Sequence, residues 1–129
     1  MWLDSEKALH KRDLLLRQPL VNGSGTLGFA PDRRCSAFVD HLGAFITNPI
    51  SQRPRVPAEN RAYIPFPGGF LLHSGHPNPG ISRVIARQKQ RWAAAELPII
   101  VNLLVDSPAN LGDMVRKLEG LENIFAVEL

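Results

Sequence analysis

The feature that most constrains this chain is the stretch from Leu97 to Leu129, in which two apolar runs flank one amphipathic segment. Leu97–Leu104 (LPIIVNLL) is almost continuously apolar, the pattern of a parallel strand covered on both faces. Ser107-Pro108 then opens a helix, with serine as cap and proline in the first turn. Leu111, Met114, Val115 and Leu118 give that helix one apolar face, Gly120 ends it, and Ile124–Leu129 (IFAVEL) reads as another strand. This is a strand–helix–strand unit, which implies parallel pairing.

The same alternation extends backwards. Pro79 to about Ala95 reads as a helix with Ile81, Val84, Ile85 and Trp92 inward; Arg83, Arg87, Lys89 and Arg91 form a solvated outer face. Ala44–Thr47 (AFIT) reads as a short buried strand ending at Asn48-Pro49. Before it, Asp32 caps a helix whose apolar face is Cys35, Phe38, Val39 and Leu42, with Gly43 as the C-terminal glycine. Leu14–Asn22 reads as extended structure broken at Pro19 and running into Gly23-Ser24-Gly25, where small residues permit close approach of a ligand or another backbone. Residues 1–12 are a mixed polar extension, a short helix or a tail.

Between the second strand and its helix lies an excursion, 49–78, holding six of the eleven prolines. Short strands are expected near Ala62–Ile64 and Phe70–His73. A long proline-rich insertion between elements of one domain reads as a functional loop. Periodicity alone leaves an open doubly wound sheet and part of a barrel equally admissible. GSGTLG at 23–28 matches a dinucleotide fingerprint only in its outer glycines and leads into Phe29-Ala30-Pro31 rather than a helix, which weakens the Rossmann reading.

Composition excludes several classes. The 129 residues are 44% hydrophobic and 21% charged, ordinary globular usage. The net charge of +3 is dispersed rather than gathered in a basic stripe with aromatics, so nucleic acid is not an expected partner. The single cysteine, Cys35, precludes an internal disulfide and reads as a small core residue. No run of about 18 apolar residues is present, and the N-terminus lacks the apolar core of a secretion signal; the default compartment is the cytoplasm. His73 and His76 lack a third metal ligand at suitable spacing, and no metal site is expected. Asp106 reads as a helix-entry residue.

Four segments in order resemble the dihydroorotate dehydrogenase family: LVNGSGTLGF at 20–29, LGAFITNPI at 42–50, GGFLLHSGHPNPGI at 68–81 and LPIIVNLL at 97–104. The resemblance covers about residues 13–129 and implies the N-terminal half of an FMN-binding (β/α)8 barrel, about four strands and three main helices, of a class 1-like enzyme acting on a CH–CH group in pyrimidine-type metabolism. A complete barrel takes about 250 residues. By resemblance, Ser24, Gly25, Asn48 and Asn102 fall at flavin-contacting positions, and Leu72, Gly75, His76 and Asn78 on the substrate-covering loop. Two positions depart from the family: Asn48 stands where it has a lysine, and Leu72 where it has an asparagine. The resemblance puts the catalytic base after the fourth strand, beyond Leu129, so no catalytic residue is assigned and the chain is expected to be a truncated, inactive half. The rival expectation is a non-catalytic half-barrel that self-associates or complements a second chain, its open strand edges inviting pairing.

Overall fold

The computed structural model describes residues 16–32, 36–59 and 63–129. The extension at 1–12, Cys35, Leu14, Leu15 and Ala62 lie outside the described residues. Among the described residues the elements are, in order, α1 (Ser36–Val39), β1 (Phe45–Ile46), β2 (Ile50–Ser51), β3 (Tyr63–Phe66), β4 (Gly69–Leu72), α2 (Ile81–Ala93), β5 (Ile99–Leu104), α3 (Pro108–Leu118) and β6 (Ile124–Glu128). The fold is mixed α/β, with one parallel sheet and a separate antiparallel hairpin.

The sheet is assembled on β5. β1 pairs with its start (Phe45↔Ile99, Ile46↔Ile100), β2 with its end (Ile50↔Leu103, Ser51↔Leu104), and β6 with Ile99–Asn102, all in parallel. The expected first strand reduces to one parallel bridge, Val21 to Ala44. Parallel neighbours cannot be joined by tight turns, and α3 supplies the connection from β5 to β6.

Alternation along β5 gives the sheet two unlike faces. Ile99, Val101 and Leu103 are buried and share one core with Phe45 and Ile50, with Ile81, Val84 and Trp92 of α2, and with Met114 and Leu118 of α3. Ile100, Asn102 and Leu104 point the other way and are only partly buried. The expectation that both faces of this strand are covered is therefore corrected: the helices cover one face, and the other is open and carries polar groups. An apolar run does not distinguish a strand covered on both faces from one whose second face is half exposed.

Helices α2 and α3 match the sequence reading. Ile81, Val84 and Trp92 are buried on α2, and Ser107 Oγ caps α3 by accepting from Asn110 N at 3.3 Å. Arg91, assigned to the solvent face, is exposed but also donates to Pro31 O at 2.8 Å. The first helix departs from expectation. Its described part is Ser36–Val39, and Phe38 is 66% exposed rather than on an apolar face. Among the described residues of that face, Val39 and Leu42 pack against the core. The helix ends at Val39, so Leu42 lies beyond it and the expected stripe does not continue on helical geometry.

Gly43 is not a left-handed cap, since its φ is not positive. Its role is steric. A Cβ there would collide with the Gln18 carbonyl oxygen and stand 3.0 Å from Leu16 Cβ, while Gly43 N donates to Leu20 O at 2.7 Å. The backbone of 16–20 thus crosses directly over Gly43. Gly43→Ala is expected to push that segment off, with a loss of about 1–3 kcal/mol of stability. Its signature in limited proteolysis is early cleavage between residues 16 and 22; unchanged protection there contradicts this account of Gly43.

The excursion is more ordered than its prolines suggest. β3 and β4 form a hairpin (Tyr63↔Leu72 through Phe66↔Gly69) closed at Pro67-Gly68, where Gly68 takes φ +90°. A turn with proline followed by a positive-φ glycine is a favoured pairing. The hairpin is exposed along its length, and Tyr63 and Phe70 stack with ring centroids 5.1 Å apart. Its foot is fastened by an antiparallel bridge, Arg55 to Asn78.

Candidate functional site

The site begins with a break in the ladder between β1 and β5. The partner offset is 54 residues at Phe45↔Ile99 and 53 at Ile50↔Leu103, so Thr47–Pro49 contains one residue too many. Such bulges re-aim side chains and are frequent beside active sites. Thr47 N still donates to Ile100 O at 3.0 Å. Its carbonyl, however, has turned to accept from Ser24 Oγ at 2.8 Å. Asn102 N instead donates to Thr47 Oγ1 at 3.1 Å, and that hydroxyl donates to Asn48 O at 3.0 Å. Thr47 is fully buried, and its side chain substitutes for a missing backbone acceptor.

The loop at 22–28 closes over this break. Asn22 acts as an extra strand partner for Ile46: its Oδ1 accepts from Ile46 N at 2.8 Å and its Nδ2 donates to Ile46 O at 2.7 Å. Thr26 Oγ1 donates to Gly23 O at 2.6 Å, and Gly25 turns the chain at φ +86°. Asn48 holds the far end twice, donating from N to Gly28 O at 2.8 Å and accepting at Oδ1 from Gly28 N at 3.1 Å. Among the described residues Asn48 Nδ2 has no partner, and it is not a buried atom.

On the open face, Asn102 Nδ2 donates to Glu128 Oε2 at 2.7 Å, leaving Oδ1 without a partner among the described residues. Ser24, Asn48 and Asn102 are therefore all joined to Thr47, and a Cβ at Gly25 would lie 4.0 Å from Pro49 Cδ. The structure brings these four sequence-assigned positions together. Sequence reasoning missed three others: Asn22, Thr47 and Glu128. A polar residue at the end of each apolar strand was the available signal.

The second set lies on the excursion and is less unified. Leu72 ends β4 and is 67% exposed. Gly75, at φ +75°, is buried so tightly that a Cβ would come within 2.8 Å of Ala58 N. His76 is exposed at φ 47°. Asn78 is buried and fully engaged. Its Oδ1 accepts from Gly80 N at 2.9 Å and from Ser51 N at 3.2 Å, and its Nδ2 donates to Ser51 Oγ at 2.9 Å and His76 O at 3.0 Å. Asn78 thus roots the loop on β2, directly after the bulge. Beside this root is a cleft of about 340 Å³ lined by Ser51, Arg55, Asp106 and Asn110 among others, with Arg55 and Asp106 4.0 Å apart. Asp106, beyond its place at the helix entry, faces a cation across the cleft.

Among the described residues no group of three His, Cys, Asp or Glu is placed to hold a metal, and no helix is long and apolar enough to cross a membrane. No family model matches the chain. Curated relatives do. The catalytic subunit of dihydroorotate dehydrogenase B (NAD(+)) from Geotalea daltonii is 29% identical over 114 residues, covering 88% of this chain and 37% of the relative. The corresponding protein of Latilactobacillus sakei is 30% identical over 119 residues, 90% of this chain and 38% of the relative. That of Pelobacter propionicus is 28% identical over 116 residues, with 90% and 38% covered. The chain spans 37–38% of the length of these relatives. Over 88–90% of its length, the chain is dihydroorotate dehydrogenase-like and corresponds to one part of such a catalytic subunit.

Proposed function

We propose that this chain is the flavin-seating N-terminal half of a (β/α)8 barrel oxidoreductase of the dihydroorotate dehydrogenase type. One observation carries the reading: Ser24, Gly25, Asn48 and Asn102 converge on one bulge, seated on the buried Thr47, at the open face of a parallel sheet. Leaving out the β3–β4 hairpin, the parallel segments at Val21, β1, β5 and β6 lie side by side in chain order, the arrangement of successive barrel strands.

The donor set fits FMN. An oxidised isoalloxazine edge offers several acceptors and one ring N–H; Asn48 Nδ2 is a free donor and Asn102 Oδ1 a free acceptor. When bound, FMN supplies hydride transfer to or from a substrate carbon. The residues here orient and enclose. Ser24 and Asn48 fix the loop at 23–28, and the segment from Leu72 to Asn78 forms the substrate-side cover. Asn48, a dipole where the family has a cation, stabilises developing negative charge less than lysine does. Leu72 offers no amide to a polar ring, so both residues point away from dihydroorotate itself as the substrate.

FMN fluorescence titrated with the chain tests this reading. Saturable quenching is expected, with affinity lowered about tenfold in Asn102→Ala. Absence of saturable quenching contradicts the flavin reading.

A second reading has its own observation. Phe125 and Val127 on β6 are each 39% exposed, and among the described residues β6 is paired only with β5. An apolar strand with a free edge favours self-association or complementation by a second chain. Sedimentation velocity separates the readings: a monomer at all concentrations counts against self-association.

A further inference from the structure

The Asn102–Glu128 pair carries a consequence for recognition that rests on the flavin-seating reading. A carboxylate can only accept, so the carboxamide of Asn102 must turn its Nδ2 towards Glu128 and its Oδ1 away. The 2.7 Å contact is the length of a charge-assisted bond, about twice as strong as a neutral one. Asn102 is held from behind as well, since its backbone N–H is bound to Thr47 Oγ1. That bond fixes the backbone, and the bond to Glu128 sets which end of the carboxamide faces the carboxylate. Both residues lie opposite one another in the β5–β6 register, on the face the helices leave open.

We propose that Glu128 is a positioning residue for this site: it fixes Asn102 with its carboxamide oxygen towards the ligand, so that the site presents an acceptor and selects a ring system carrying an N–H at that edge. Oxidised FMN meets this requirement through its single ring N–H, and a ring methylated on that nitrogen does not. Without Glu128 the amide has no preferred sense and either end serves.

Two readouts on the full chain test the proposal. The first needs no ligand. The side-chain NH2 signals of Asn102, identified by their loss in Asn102→Asp, are expected to show one proton shifted downfield by the carboxylate, with the shift relaxing in Glu128→Gln. The second compares FMN with its N3-methyl analogue. The unaltered chain is expected to prefer FMN by about tenfold or more, because methylation leaves the oriented oxygen facing a methyl group. In Glu128→Gln, whose amide supplies both donor and acceptor, the preference is expected to fall to within about threefold as Asn102 turns. An Asn102 signal unchanged by Glu128→Gln overturns the positioning role whether or not flavin binds. Equal affinity of the unaltered chain for FMN and its methylated analogue overturns the selectivity. Failure of FMN to bind, with the Asn102 shift present and dependent on Glu128, overturns the flavin reading and leaves the oriented acceptor standing.

Discussion

Replacing Trp92 with alanine is expected to cost about 3–5 kcal/mol of unfolding free energy, a large part of the roughly 5–15 kcal/mol that holds a domain folded. Among the described residues Trp92 is the largest fully buried side chain, and α2 lays it into the one face of the sheet that the helices cover. It does more than fill volume. Its Nε1 donates to Phe29 O at 2.7 Å, and its own carbonyl accepts from Asn123 Nδ2 at 2.9 Å. Phe29 directly follows Gly28, which Asn48 holds by two hydrogen bonds. Loss of Trp92 therefore loosens the candidate site from behind. Trp92→Phe retains most of the apolar volume but leaves Phe29 O without its donor, and is expected to cost about half as much. Urea unfolding followed by circular dichroism measures both; a loss under about 1 kcal/mol in Trp92→Ala contradicts this packing account.

Asn78 is the second position of large effect. Asn78→Leu keeps a similar volume but removes every hydrogen bond of the side chain. Gly80 N, at the start of α2, and Ser51 N, on β2, lose the oxygen that both now share. Each buried donor left unpaired costs about 1–3 kcal/mol, so about 2–6 kcal/mol is expected for the two. The effect is directional. The loop from Gln52 to Pro77 is rooted at Ser51, Arg55 and Asn78, so its protection in hydrogen exchange is expected to fall before that of β5 or α3. Uniform loss of protection across the sheet contradicts a local anchoring role for Asn78. The same arrangement shows that the amide of Asn78 is engaged within the chain, where it holds the His76 carbonyl and the loop end at Gly80.

The legible parts of this fold are those with strong periodicity. The Leu97–Leu129 unit and α2 could be read from spacing because apolar side chains recur at the helical period and Ser107-Pro108 marks a start. The β3–β4 hairpin was partly legible, as two short strands expected near Ala62–Ile64 and Phe70–His73, with Ala62 outside the described residues. What the sequence concealed depends on tertiary contact. Gly43 looks like a helix terminator until the backbone at Gln18 is seen passing over it. Phe38 fits an apolar stripe by count, but it is exposed, and the helix ends at Val39, before Leu42. β2 was hidden within a proline-rich stretch, since two residues following Asn48-Pro49 carry no period of their own. The candidate site was half legible. Resemblance located Ser24, Gly25, Asn48 and Asn102, but not the reason they meet. That reason is the single extra residue in Thr47–Pro49, and a bulge appears only when two strands are set in register. Glu128 was hidden for a related reason, because its partner lies 26 residues away on the neighbouring strand.

On the proposed reading, the loop at 22–28, the bulge at Thr47–Pro49 and the Asn102–Glu128 pair form one flavin-facing surface. Backbone amide shifts of the labelled chain, followed as FMN is added, test this. Saturable changes are expected at Asn22–Gly28, Thr47–Asn48, Asn102 and Glu128, with the outer face of α2 at Arg83, Arg87 and Lys89 unmoved. Changes centred on that basic helix face, or none at the bulge, would contradict it.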